Sequence, residues 1–148
     1  MFIVNVEGAV FHNGKWLIIK RSAKEDHGPG MLSLVGGKAE REGNTTDILE
    51  RTLKREIEEE VGIRVKEGMH YVHNTSFVSD TGIHVVDIVF LCEYESGIAH
   101  PKSHEEVAGV YWMAYEEILN HRYVPIWPKN SIRYAEAVRK KLKAEVNK

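Results

Sequence analysis

The chain has 148 residues, 43% hydrophobic and 28% charged, with a formal net charge of −2. That balance is expected of a soluble globular protein, read as one domain over residues 1–148, and the lack of a basic excess argues against a nucleic-acid polymer as partner. A lone cysteine, Cys92 in the apolar run VVDIVFLCEY, excludes a disulfide framework within the chain and reads as core rather than nucleophile. The opening MFIVNVEGAVFHNG has no basic leader, and Asn5 and Glu7 interrupt its apolar run. Neither a signal peptide nor a membrane span is expected, and the chain reads as cytoplasmic.

Residues 2–12 alternate as a strand does. Asn13-Gly14 then precedes KWLIIKR, so residues 4–21 are expected to form a hairpin with a tight turn. SAKEDHGPG is a loop, and MLSLVGGK is a short apolar run ending in Gly36 and Gly37. A helix follows, with Leu49, Leu53, Ile57 and Val61 at i+4 spacing, Ile48 alongside, and Gly62 as its stop. Asp47, or Thr45 or Thr46 before it, is the expected N-cap, and the cap is the role favoured for Asp47. VHNTSFVS and IHVVDIVFLCEYE flank Asp80-Thr81-Gly82 as a second hairpin. EVAGVYWM reads as a strand and AYEEILNH as a short helix. Pro125 and Pro128 mark an irregular stretch, and residues 129–146 a closing helix with Ile132, Ala135, Val138 and Leu142 on its core face. The expected class is α+β, or mixed α/β, with helices packed on a sheet.

The chemistry concentrates in REIEEEVG, residues 55–62, where four glutamates occupy the last turns of the first helix. Carboxylates there meet the negative end of the helix dipole, at roughly 0.3–1 kcal/mol each. Glu56 and Glu60 also repel at i,i+4. Glu56, Glu59 and Glu60 share a face beside the apolar stripe, while Glu58 points elsewhere and Arg55 is placed to reach Glu59 or Glu58. A solvated acidic face with an Arg–Glu pair would account for the charges alone. The competing reading is that three carboxylates hold a hard divalent cation such as Mg²⁺. The glycine pair upstream favours the second, because glycine permits close backbone approach and leaves a carbonyl available to a metal. Arg21 and Lys38, near that turn, are candidates to hold a phosphate. No cysteine or helical histidine spacing supports zinc, and for a lone histidine near a phosphate, such as His27, the sequence offers no support. Trp127, Tyr123 and Tyr134 are expected to pack the last helix on the sheet rather than stack on a base.

This stretch resembles the box of the Nudix hydrolases, G-x5-E-x7-R-E-U-x-E-E-x-G-U, with U a bulky aliphatic residue. Arg55 through Ile63 match its second half without a gap. The first half departs: Asp47 stands where the family has Glu, Val35 where many members have Pro, and Gly37 lies ten positions before Asp47 instead of six. The likeness extends through WLIIKRS and EEVAGVYWMAYEEI, over roughly residues 4–120. It implies the Nudix fold, a mixed sheet between helices. It also implies an Mg²⁺-dependent hydrolase, with Mn²⁺ as a possible alternative, cutting a diphosphate linkage in a nucleoside diphosphate joined to another moiety. A nucleoside triphosphate pyrophosphohydrolase is the first expectation within that class. By the same resemblance Glu59 and Glu60 are metal ligands, Glu56 is a ligand or the base that activates water, and Arg55 orients it. Gly36 or Gly37 offers a carbonyl, and Glu106 is an extra ligand or base with Glu105 next in line. The alternative is a non-catalytic nucleotide-binding module on the same fold. The expected partner is a small nucleotide or nucleoside diphosphate derivative, with no nucleic-acid polymer and no membrane. A homodimer is left open.

Overall fold

The computed structural model describes residues 1–25 and 28–147. His27 therefore lies outside the described residues. In chain order the elements are β1 (Phe2–His12), β2 (Lys15–Arg21), β3 (Leu32–Ser33), β4 (Val35–Lys38), α1 (Ile48–Val61), β5 (Arg64–Val65), β6 (His70–Val78), β7 (His84–Ser96), β8 (Val107–Met113), α2 (Tyr115–Asn120) and α3 (Ile126–Val146). The α+β expectation is met by a mixed sheet with helices on it.

Strand β1 organises the sheet. It runs parallel to β7 from Phe2↔His84 to Phe11↔Glu93 and antiparallel to β4 from Asn5↔Lys38 to Gly8↔Val35. The expected hairpin over residues 4–21 is real but short. Only Phe11↔Trp16 and His12↔Lys15 pair across it, around Asn13 and Gly14 at positive φ. Beyond that turn β2 leaves β1 and pairs with β3 and β8 instead. The second hairpin, β6–β7, forms around residues 79–83 as expected.

Alternation along the strands divides the core in two. Val6, Val10, Leu17, Ile19 and Val35 face α1, meeting Leu53, Ile57 and Val61. Ala9, Trp16, Ile18, Leu34 and Val89 face the other way, meeting Ile118, Ile132 and Ala135 from α2 and α3. Because β2 is covered on both faces, its Trp-Leu-Ile-Ile run is apolar throughout. The Trp16 indole donates to Glu136 of α3 at 3.1 Å, fixing that helix to the sheet. Cys92 is 1% exposed, and burial pushes its thiol up to about 12, as suits a core residue.

Helix α3 begins at Ile126, not at 129. Pro128 thus stands in its first turn, where the missing N–H would have had no helical partner. The same register corrects the aromatic expectation for Tyr123 and Trp127. With Ile132 and Ala135 turned inward both are left largely exposed, whereas Tyr134, also exposed, packs α3 on the sheet by stacking on His73 of β6 at 4.6 Å. Among the described residues no helix is long and apolar enough to cross a membrane.

Candidate active site

Helix α1 delivers its carboxylates to one edge of the sheet because its apolar stripe fixes its roll. Leu53 and Ile57 lie over Gly8 of β1, where a methyl group would come within 3.2 Å of the Ile57 side chain. Glu56 then faces β4. A Cβ on Gly37 would stand 2.5 Å from the Glu56 carboxyl carbon, so only glycine lets the carboxylate lie there. Gly36 serves the sheet instead, since a Cβ there would collide with the backbone of Val6 on β1. The two glycines expected to act as a pair are thus divided between sheet closure and site.

The far end of α1 explains how acids are tolerated at a helix C-terminus. The loop before β8 folds over it. The amides of Lys102 and Ser103 donate to the Glu60 carbonyl at 3.0 and 3.3 Å, and that of His100 to the Val61 carbonyl at 3.0 Å. These bonds satisfy carbonyls that would otherwise present the negative pole. Gly62 turns the chain with φ 73°, and its missing side chain leaves room for the His100 ring.

The same loop carries Glu106 to the helix. Oxygens of Glu56, Glu60 and Glu106 lie within 4.8 Å of one another, and among the described residues this is the group close enough to share a cation. Glu105 instead points outward, paired with Lys24 at 3.4 Å. Glu59 is exposed and stands outside the group. A helix turns about 100° per residue, so Glu59 sits about 60° round from Glu56, on the side away from Glu60. Arg55 reaches neither Glu58 nor Glu59. Its guanidinium lies 3.6 Å from Glu56, and Glu58 pairs with Arg64 at 3.7 Å.

Crowding of acids shows in their affinity for protons. Burial pushes Glu56 up to about 7. Arg55 opposes the rise, while Glu106, Glu59 and Glu40 add to it. Glu60, 7% exposed, is pushed to about 10, first by burial and then by Glu106 and Glu56. Its Oε2 is buried without a hydrogen-bond partner. An anion so placed needs a proton or a cation.

Arg21 and Lys38 part company. Arg21, at the end of β2, works against the rise at Glu60 and pairs with Glu25 at 3.3 Å. Lys38 is exposed and lines a separate cleft with Phe2, Val4 and Arg41. Asp47 occupies the cap position without capping. It sits in the left-handed region, φ 55° and ψ 38°, and makes no side-chain cap hydrogen bond. A capping side chain needs an extended backbone to reach the first-turn amides. Arg51 holds the long loop instead, bonding the Thr46 carbonyl and Glu42.

Two acids near the site escape the sequence reading. Glu40 adds its field to Glu56 from the loop after β4. Glu7 is held well above the usual carboxylate range by burial and by Asp87, which also accepts from Asn5 at 2.7 Å. A glutamate interrupting an alternating apolar strand is the available signal for Glu7.

A NUDIX domain profile matches residues 2–135. The chain belongs to the NUDIX family. Among solved structures, the MutT NUDIX hydrolase from Burkholderia pseudomallei is 24% identical with TM-score 0.76, covering 90% of this chain and 98% of that one. The MutT protein from Methanosarcina mazei Go1 is 24% identical with TM-score 0.78, covering 94% and 96%. The NUDIX domain of Shewanella oneidensis NrtR, complexed with ADP ribose, is 17% identical with TM-score 0.69, covering 96% and 89%. No curated protein matches. As a Nudix hydrolase the chain is a pyrophosphohydrolase, acting on a nucleoside diphosphate linked to another group.

Proposed function

We propose that this Nudix hydrolase works with a divalent cation, Mg²⁺ or Mn²⁺, on a small nucleotide derivative, with a nucleoside triphosphate the first candidate. The observation that carries this is the convergence of Glu56, Glu60 and Glu106 around a buried carboxylate oxygen that has no partner. Oxygen donors of this kind suit a hard cation. Glu60 and Glu106 would hold it with Glu56, and Glu59, one step round the helix, and a Gly36 or Gly37 carbonyl of β4 are the further candidate ligands. Bound there, the cation would polarise a phosphoryl oxygen and offset the charge of the acids.

The side chains divide the remaining work. Glu56 would take a proton from the attacking water. Arg55 beside it favours the ionised form and keeps its orientation. Gly37 gives it a flat backing. Arg21, whose charge acts on Glu60, is a candidate phosphate contact. The ADP ribose complex of the Shewanella oneidensis NrtR domain supports a nucleotide derivative as ligand. A non-catalytic binding module on the same fold is disfavoured, since the uninterrupted Arg55–Ile63 half of the box keeps carboxylates that a helix end disfavours.

A screen of nucleoside triphosphates and nucleotide-linked diphosphates with Mg²⁺ or Mn²⁺, scored for released phosphate species, tests this reading. We expect turnover that depends on metal and falls at least tenfold in Glu56→Gln. Turnover undiminished in that variant would remove Glu56 from the chemistry.

A further inference from the structure

Strand β6 is a free edge of the sheet. It pairs with β7 on one side, from His70↔Leu91 to Val78↔His84, and among the described residues no strand pairs with its other side. Such an edge presents unpaired N–H and C=O groups to any chain that can lie against it. Proteins blunt these edges with short length, charged side chains, proline or a bulge. The edges at β3, β4 and β5 are two, four and two residues long. Strand β8 is longer, but it has a buried residue at each end and follows Glu105 and Glu106. In contrast, β6 has nine residues, HYVHNTSFV, with no acid, lysine, arginine or proline among them. Its bulge lies between Tyr71 and His73, which leaves residues 73–78 regular. Asn74 to Val78 are all exposed, so both faces of this run are open. Phe77 and Val78 are 49% and 57% exposed, and Tyr71 near one end and Ile83 beyond the other widen the apolar surface.

We propose that β6 is a self-association surface, on which a second copy of this chain lays its own β6 antiparallel and joins the two sheets across a two-fold axis. The charge pattern selects this occupant. A strand with no acid, lysine or arginine offers nothing to an acidic or basic partner, whereas its own copy meets it with equal length and without like-charge repulsion. The geometry also limits the register. Opposed residues in a sheet lie on the same face, and side chains alternate between faces. A two-fold axis between antiparallel copies therefore passes through a residue, and one position in the regular run meets its own copy. A stable interface buries about 800 Å² on each partner. One strand edge supplies less than that, so Tyr71, Phe77, Val78 and Ile83 must contribute, and the dimer forms reversibly as concentration rises. Strand β7 stands between β6 and β1, which keeps this surface apart from the α1 carboxylates.

Sedimentation velocity of the full chain, from micromolar to near-millimolar concentration, tests the surface. The wild type should pass from monomer to dimer over that range. Thr75→Lys with Ser76→Lys sets like charges against each other across the shared edge and should weaken the dimer tenfold or more, with circular dichroism showing that the chain is still folded. A second series does not depend on that variant. Asn74→Cys, Thr75→Cys, Ser76→Cys and Phe77→Cys are made singly and oxidised with copper phenanthroline. Opposed Cα atoms in an antiparallel pair stand about 4.5–5.5 Å apart, which a disulfide can span. One of the four should therefore trap most of the protein as a covalent dimer, and Cys92, 1% exposed, does not compete. A wild type that stays monomeric throughout, a dimer of unchanged affinity in the folded lysine variant, or a dimer that none of the four cysteines traps would overturn the proposal.

Discussion

At Gly37 a methyl group would stand 2.5 Å from the Glu56 carboxyl carbon, whereas at Gly36 it would strike the backbone of β1. The two positions therefore separate function from folding. Gly37→Ala should fold with a melting temperature close to wild type and lose roughly a hundredfold in turnover, since a carboxylate displaced by about 1 Å is out of reach of its water. Gly36→Ala should lose stability instead, because backbone cannot move aside as a side chain can. Wild-type turnover in Gly37→Ala would show that Glu56 is not the base. Asp47 offers a second contrast. Its φ of 55° suits glycine better than any side chain, and no cap bond is lost on replacing it. Asp47→Gly should leave stability unchanged or raised, and Asp47→Ala should cost about 1–2 kcal/mol from the left-handed backbone. Urea unfolding of both checks this. A clear loss in Asp47→Gly would restore the capping role.

Helix α1 is where sequence and structure agree most closely, and the reason is local. Leu53, Ile57 and Val61 fix its roll, so the direction of every glutamate follows from periodicity. What periodicity cannot supply is the partner. Glu106 enters through a loop whose amides bond α1 carbonyls about forty residues earlier in the chain, and only the family likeness points to it. An i, i+3, i+4 set spans one broad face, which groups Glu59 with Glu56 and Glu60 in the sequence. The loop that carries Glu106 covers only part of that face. The sign of φ at Asp47 is not legible either, since aspartate serves both as an extended cap and in the left-handed region. Pro128 reads as a helix breaker because sequence alone does not say whether a proline lies before or inside a first turn. The seam between loop and helix can be tested at Gly62. Gly62→Ala should cost about 1–2 kcal/mol for its backbone, plus a clash with the His100 ring. His100→Ala in the same chain should recover the second part only. A double variant no better than Gly62→Ala would mean that the His100 ring does not press on the helix end.

Across the whole molecule the buried acids make stability depend on pH, and on metal if the proposed cation site is right. The ordinary glutamate value is 4.5, and Glu56 and Glu60 are raised to about 7 and about 10. Above 4.5 the unfolded chain releases protons that the folded chain still holds. The metal-free protein should therefore lose stability as pH rises, through Glu56 up to about 7 and through Glu60 up to about 10, with Glu7 acting in the same direction. A bound cation replaces those protons, so melting curves with saturating Mn²⁺ should vary less between about pH 6 and pH 9 than metal-free ones. A metal-free melting temperature that rises over that range would contradict the assignment of these acids as buried and proton-holding.

The central claim is that Glu56, Glu60 and Glu106 form one cation site, and its most direct test is calorimetric titration of Mn²⁺ into the metal-free protein at neutral pH, in two buffers of different ionisation enthalpy. Saturable binding is expected with release of about one to two protons, because the Glu60 proton and the share still held by Glu56 must leave when the cation arrives. Both binding and proton release should be lost in Glu60→Gln and weakened in Glu106→Gln. No binding by the wild type up to millimolar Mn²⁺, or unchanged binding in both variants, would contradict it.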